Sequence, residues 1–133
     1  MLSEKGQLIV ISAPSGAGKT SIIKNVIKKL NDENIKSTFS VSHTTRLPRD
    51  GDIDGSDYFF VSNEIFDELY EAGNFIEIAE VHDYKYGTSK DFIINNINQG
   101  INVFLEIDVQ GFQKLRSKNF EFRSMFILSL IHI

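Results

Sequence analysis

The 133-residue chain contains no cysteine and no tryptophan, only two prolines and only three histidines. Without cysteine there is no disulfide framework, thiolate metal site or thiol nucleophile, which suits a reducing cytoplasm. No apolar run approaches the ~20 residues of a membrane span, and the polar start Met1-Leu2-Ser3-Glu4-Lys5-Gly6-Gln7 is unlike a signal peptide. His43, His82 and His132 have no metal-ligand spacing. Basic residues are scattered, with no long block, and the net charge is −4. That argues against nonspecific nucleic-acid binding, so any anion site must be local. No internal repeat or low-complexity tract is present. What remains is 41% hydrophobic and long enough for one modest core. The expectation is a soluble cytoplasmic protein with no nucleic-acid or membrane partner.

The chain is organised around Ala13-Pro14-Ser15-Gly16-Ala17-Gly18-Lys19-Thr20. Leu8-Ile9-Val10-Ile11 before it has strand composition, and Ile22, Ile23, Val26, Ile27 and Leu30 after it are spaced for one helix face. Strand, glycine-bearing loop and helix is the context of a phosphate-binding loop. Gly16 and Gly18 permit backbone angles that turn successive N–H groups inward as a nest, and the helix start adds unpaired N–H groups and a positive dipole end. Lys19 can bridge the outer phosphates of a bound ligand, and the Thr20 hydroxyl can bind Mg²⁺. The usual pattern opens with glycine, whereas this one opens with Ala13.

Beyond the helix, Phe39-Ser40-Val41-Ser42 alternates like a half-buried strand, and Asp50 to Asp57 is a polar loop. Tyr58 to Val61 is a short strand. Ser62 or Asn63 caps a helix through Ile65, Phe66 and Leu69 that Gly73 ends. Phe75 to Val81 is strand-like, Asp83-Tyr84-Lys85-Tyr86-Gly87 reads as a turn, and Ser89 caps a helix closed by Gly100. Val103-Phe104-Leu105-Glu106-Ile107-Asp108 has the composition of a strand buried on both faces of a parallel sheet. Gln110 to Lys118 reads as a short helix and Met125-Phe126-Ile127 as a further strand. The fold class is α/β: a core at 1–34 with a parallel sheet, a strand-rich insert at 35–88, and the core continued at 89–128.

In the insert, Arg46 and Arg49 flank Pro48, which fixes their offset, and the short segment around them holds no compensating carboxylate. Two guanidinium forks suit a phosphate dianion, although paired surface arginines are often solvated or salt-bridged. Tyr58 and Tyr86 offer hydroxyls or simple aromatic packing. Glu77 would point away from Ile76 and Ile78, either as an exposed side chain or as an acceptor for the two adjacent donors of guanine, a pair adenine lacks.

Taken together, these segments resemble guanylate kinases. The matching pieces are residues 12–20, Val41-Ser42-His43-Thr44-Thr45-Arg46-Leu47-Pro48-Arg49, Asp57-Tyr58-Phe59-Phe60-Val61, Phe75-Ile76-Glu77, Tyr86-Gly87-Thr88 and Glu106-Ile107-Asp108-Val109-Gln110-Gly111. The resemblance implies a P-loop kinase core with a GMP-binding insert, and transfer of the γ-phosphoryl group of ATP to GMP, giving ADP and GDP. It implies that Ala13 to Thr20 bind ATP, Thr20 with Mg²⁺, and that Ser42, Glu77, Thr88 and Asp108 contact guanine. Arg46, Arg49, Tyr58 and Tyr86 would hold the GMP phosphate, with Lys19, Arg46 and Arg49 the catalytic cations. Glu106 stands where the family usually has aspartate, at a position near base and metal.

In the family, the strand resembling residues 125–128 leads to an arginine-bearing lid and further core elements. The expectation is therefore a C-terminally truncated chain of weak or no activity, with Ser129-Leu130-Ile131-His132-Ile133 a non-native tail. The alternative function is a non-catalytic module of the same family that binds a phosphorylated partner. The intact Lys19-Thr20 pair favours the enzyme. Another P-loop kinase with a different acceptor is a third reading, against which Glu77 and Ser42 argue.

Overall fold

A computed structural model describes residues 5–12, 19–107, 111 and 113–115, except for the side chains of Ser12 and Lys19. β1 (Leu8–Ser12) and β7 (Asn102–Ile107) run parallel in the register Leu8↔Val103 to Ser12↔Ile107, and β2 (Ser37–Phe39) pairs in parallel with the other side of β7. β7 is thus central among the three strands of this sheet that lie in the described residues, which explains its nearly continuous apolar sequence. Leu8, Val10 and Val103 are fully buried. Helix α1 (Lys19–Asp32) connects β1 to β2, with Ile23, Ile27 and Leu30 packed on a cluster that includes Ile11, Phe39 and Phe104. Ile22 and Val26, expected on the same face, are 46% and 41% exposed. Asn31 ties the helix end to β2 through both amide atoms: its Nδ2 donates to the Ser37 carbonyl and its Oδ1 accepts the Ser37 N–H.

The chain divides into two compact units, Val41–Phe92 and the remainder, Met1–Ser40 with Ile93–Ile133. This differs from an insert spanning 35–88. Ser37–Phe39 is hydrogen-bonded to β7, and the Ser40 N–H donates to the Phe104 carbonyl, so residues before Val41 belong to the parallel sheet. The stretch read as one strand is divided between two sheets. At the other end, the division falls inside helix α3 (Lys90–Asn98), whose first turn is capped by the Ser89 hydroxyl accepting from the Phe92 N–H.

The Val41–Phe92 unit carries a four-stranded sheet in the order β4-β3-β6-β5, from β3 (His43–Thr44), β4 (Phe59–Phe60), β5 (Phe75–Val81) and β6 (Tyr84–Ser89). Helix α2 (Asn63–Glu71) follows β4. Ser62 caps it by accepting the Ile65 N–H, and Gly73 (φ 76°) supplies the left-handed residue after it. β5 and β6 form a hairpin around His82 and Asp83, both at positive φ (50° and 67°), as a two-residue primed turn requires. Tyr84 to Gly87, expected as a turn, is therefore strand. A bulge between Phe75 and Glu77 lets Phe75 and Ile76 both be buried and places Glu77 opposite Thr88. Gly111 and residues 113–115 are helical, within the helix expected at 110–118. The strand expected at 125–127 and the tail at 129–133 lie outside the described residues.

Candidate functional site

Register decides which side chains of the Val41–Phe92 unit share a face, because directly opposed residues project to the same side of a sheet. Thr44 opposes Tyr86 and Phe60, Tyr86 opposes Ala79, and Thr88 opposes Glu77. One face therefore carries Phe60, Thr44, Tyr86, Thr88 and Glu77. The other carries His43, Gly87 and Phe75, and there Phe66 of α2 stacks on Phe75 at 4.6 Å. The Tyr58 ring joins the first face, 5.7 Å from Tyr86 and 5.8 Å from Phe60.

Arg46 lies over that aromatic group, its guanidinium carbon 5.3 Å from the Tyr58 ring and 5.6 Å from Phe60. The residue is only 9% exposed. Its Nη1 donates to Asp52 Oδ2 and to the Leu47 carbonyl, both at 3.1 Å. The Arg46 backbone N–H donates to the Thr44 hydroxyl, which itself donates to the Lys85 carbonyl, so sheet and arginine are locked together. Burial opposes the charge on Arg46, but Asp52 and the Tyr86 phenol outweigh it and raise its pKa above the usual guanidinium value. Burial, followed by Tyr86, raises Tyr58, against the pull of Arg46. Tyr58 thus stays a protonated donor at neutral pH. Arg49 is exposed, and its backbone N–H donates to Asp52 Oδ2 at 2.8 Å.

At the other end of the face, the buried Thr88 hydroxyl donates to Glu77 Oε2 at 3.4 Å. The bulge produces this pairing. Ser42 is half-buried directly before β3, and its carbonyl accepts the Phe59 N–H. The structure thus gathers Arg46, Tyr58 and Tyr86 into one group, and Glu77 with Thr88 into another on the same sheet face.

The parallel-sheet unit contributes a second group. Lys19 and Thr20 open α1, and Thr20 Oγ1 donates to Glu106 Oε2 at 2.9 Å, near the carboxyl end of β7. A hydroxyl and a carboxylate are hard oxygen donors, and as a pair they fit Mg²⁺, which keeps several waters and takes few protein ligands. No group of three or more His, Asp or Glu suited to a metal occurs among the described residues. Ala13, Pro14, Ser15, Gly16, Ala17, Gly18 and Asp108 lie outside the described residues, so the expected phosphate nest is not among the observations.

Asp52, which contacts both arginines, is not among the residues expected from the sequence. The carboxylate that compensates Arg46 lies beyond the short segment around the arginines and reaches back from the next turn. The signal was present in Arg49-Asp50-Gly51-Asp52: Gly51 has φ 89°, and the Asp52 N–H closes on the Arg49 carbonyl. The Arg49 N–H, then Arg46, hold the Asp52 carboxyl below its usual pKa against the effect of burial.

No helix among the described residues is long and apolar enough to cross a membrane. The sequence profile of the guanylate kinase family matches residues 5–131. The chain is 46% identical over 127 residues to a guanylate kinase of Caldanaerobacter subterraneus, covering 96% of this chain and 60% of that protein. It is 52% identical over 114 residues to one of Thermotoga maritima, covering 86% and 53%. The crystal structure of guanylate kinase from Anaplasma phagocytophilum superposes with a TM-score of 0.64 at 33% identity, over 97% of this chain and 61% of that one. The chain thus spans little more than half the length of these relatives.

Proposed function

Because the chain belongs to the guanylate kinase family, we propose that the Val41–Phe92 unit binds GMP and that the whole protein transfers the γ-phosphoryl group of ATP to it, giving ADP and GDP. The observation that carries this reading is the single sheet face bearing the Arg46–Tyr58–Tyr86 group and the Glu77–Thr88 pair. Arg46, with Tyr58 and Tyr86 as phenolic donors, receives the phosphate dianion, and Arg49 adds a second guanidinium from the exposed loop. Glu77, an acceptor-only carboxylate, takes the two adjacent donors of guanine. Thr88 orients it, while Ser42 and Asp108 complete the base contacts. Adenine would not supply the two adjacent donors that the Glu77 carboxylate accepts, a mismatch that a closed site punishes heavily.

On the donor side, residues 13–18 and Lys19 cradle the ATP phosphates, and Thr20 with Glu106 holds Mg²⁺. When bound, the ion neutralises charge on the phosphate oxygens. Phosphoryl transfer leaves little covalent work for side chains, so alignment and charge neutralisation by Lys19, Arg46 and Arg49 supply the catalysis. The cytoplasm, where ATP is abundant, is the proposed setting.

The test is ADP formation from ATP and Mg²⁺ with GMP, AMP or no acceptor, alongside equilibrium binding of GMP and AMP. Turnover that requires GMP is expected. Equal response to AMP and GMP would sink the proposal, and GMP binding without turnover in the whole protein would favour a phosphopartner-binding module.

A further inference from the structure

Asp52 faces both arginines through one atom: Oδ2 accepts Arg46 Nη1 at 3.1 Å and the Arg49 N–H at 2.8 Å. We propose, on the GMP reading above, that Asp52 is a positioning residue that presets Arg46 and Arg49 for the phosphate before it arrives. Arg46 Nη1 is committed to Asp52 and the Leu47 carbonyl, and the guanidinium is laid over Tyr58 and Phe60. Its other N–H groups, with the Tyr58 and Tyr86 phenols as hydrogen-bonding neighbours, are then the ones that can grip an oxyanion together with those hydroxyls. An unrestrained arginine must be ordered when its ligand binds, and pre-ordering removes that cost. The contact to Arg49 is made at its backbone, so it fixes where the side chain starts and leaves the guanidinium free. Asp52 stands outside the set expected to touch GMP.

A competing effect runs the other way, because a carboxylate beside the site repels a phosphate dianion. Geometry favours positioning: the side chains of the ion pair are only 10% and 20% exposed, and the same Oδ2 closes the turn that carries Arg49. A residue that merely competed with phosphate for Arg46 would have no reason to hold Arg49.

The experiment measures binding of GMP, and of guanosine by competition, to the full chain and to its Asp52→Ala, Asp52→Asn and Asp52→Glu variants. Asp52→Ala should weaken GMP about tenfold, the loss expected when a charge-assisted contact that orders the arginine is removed, and leave guanosine within about twofold. Asp52→Asn, which retains an acceptor oxygen for the Arg49 N–H, should lose less, and Asp52→Glu should recover part of the affinity. Unchanged or tighter GMP binding by Asp52→Ala would overturn the proposal in favour of competition. An equal loss for GMP and guanosine in every variant would overturn it in favour of a purely structural role. If the unaltered chain binds neither ligand, the GMP reading itself falls and takes this inference with it, an outcome visible before any variant is made.

Discussion

The two units of this chain hold their functional groups in different ways. In the parallel-sheet unit, fully buried apolar residues such as Leu8, Val10 and Val103 form the interior, and the candidate metal-binding pair, Thr20 and Glu106, sits at the sheet's carboxyl end and is joined by one hydrogen bond. Site and core are separable there. In the Val41–Phe92 unit, two of the four strands are two residues long, and the site is the sheet face itself. Thr44 is fully buried and hydrogen-bonds both the Lys85 carbonyl and the Arg46 backbone, so the proposed site is built into the hydrogen bonds that hold the sheet. Changes to the site of the second unit should therefore cost stability and binding together, whereas changes to the first should cost binding alone.

The largest expected effect is that of Arg46→Ala. It removes a charge-assisted phosphate contact and leaves Asp52 without its cation, so GMP affinity should fall about 100-fold or more. The melting temperature should fall with it. An unchanged melt would break the comparison. Gly87→Ala follows, because a Cβ there would come within 2.7 Å of Phe75 ring carbons. Overpacking of this kind costs about 1–3 kcal/mol, and hydrogen exchange should show the loss confined to residues 41–92. In the other unit, Thr20→Val should weaken Mg²⁺-dependent ATP binding about tenfold, the order expected for loss of one polar ligand contact. Its thermal stability should match the parent, and a clear drop would show that site and core are coupled there too.

The smallest effect concerns pH. His43 stacks on Phe59 at 4.8 Å and lies 5.6 Å from Phe75, and its Nδ1 is buried without a hydrogen-bond partner. Burial lowers its pKa against the opposing pull of Asp54. As pH falls, the unfolded chain takes up this proton first, so stability is full above the ordinary imidazole value near 6.5 and declines as pH drops toward the lowered folded value. His43→Gln should flatten this slope in melts taken from pH 7.5 to 5. Parallel slopes for variant and parent would remove His43 from the account.

Much of the framework was legible in the sequence because it is written locally. Ser62 and Ser89 mark helix starts through their hydroxyls, Gly73 and Gly100 mark helix ends through positive φ, and the apolar Leu8 to Ile11 run precedes its helix in the order a parallel unit needs. The misreadings have a common physical source. The β5–β6 turn is made by His82 and Asp83 at positive φ, without the glycine that usually announces such angles, while the nearby Gly87 sits in the strand to admit the Phe75 ring. Phe39 to Ser42 shows one alternating pattern, yet its two ends hydrogen-bond to different sheets, a choice settled by partners far away in sequence. Of the expected site residues, Arg46, Arg49, Tyr58, Tyr86 and Glu77 could be named singly from their chemistry, and Ser42 and Thr88 only through the resemblance. Their grouping on one face, and the part taken by Asp52, depend on register and on a turn.

The bulge at Ile76 makes tolerance to changes in chain length run opposite to burial. Loss of Ile76, which is buried, would straighten the strand and keep Glu77 opposite Thr88, at the expense of one apolar anchor. Loss of Ala79 or Glu80, both exposed, would leave the His82–Asp83 turn in place and slide Glu77 opposite Gly87, onto the apolar face. Among natural variants of this hairpin that retain the Glu77–Thr88 pair, single-residue deletions should therefore accumulate at the buried position and be absent from the solvent-facing stretch after it, the reverse of what surface exposure alone would lead one to expect.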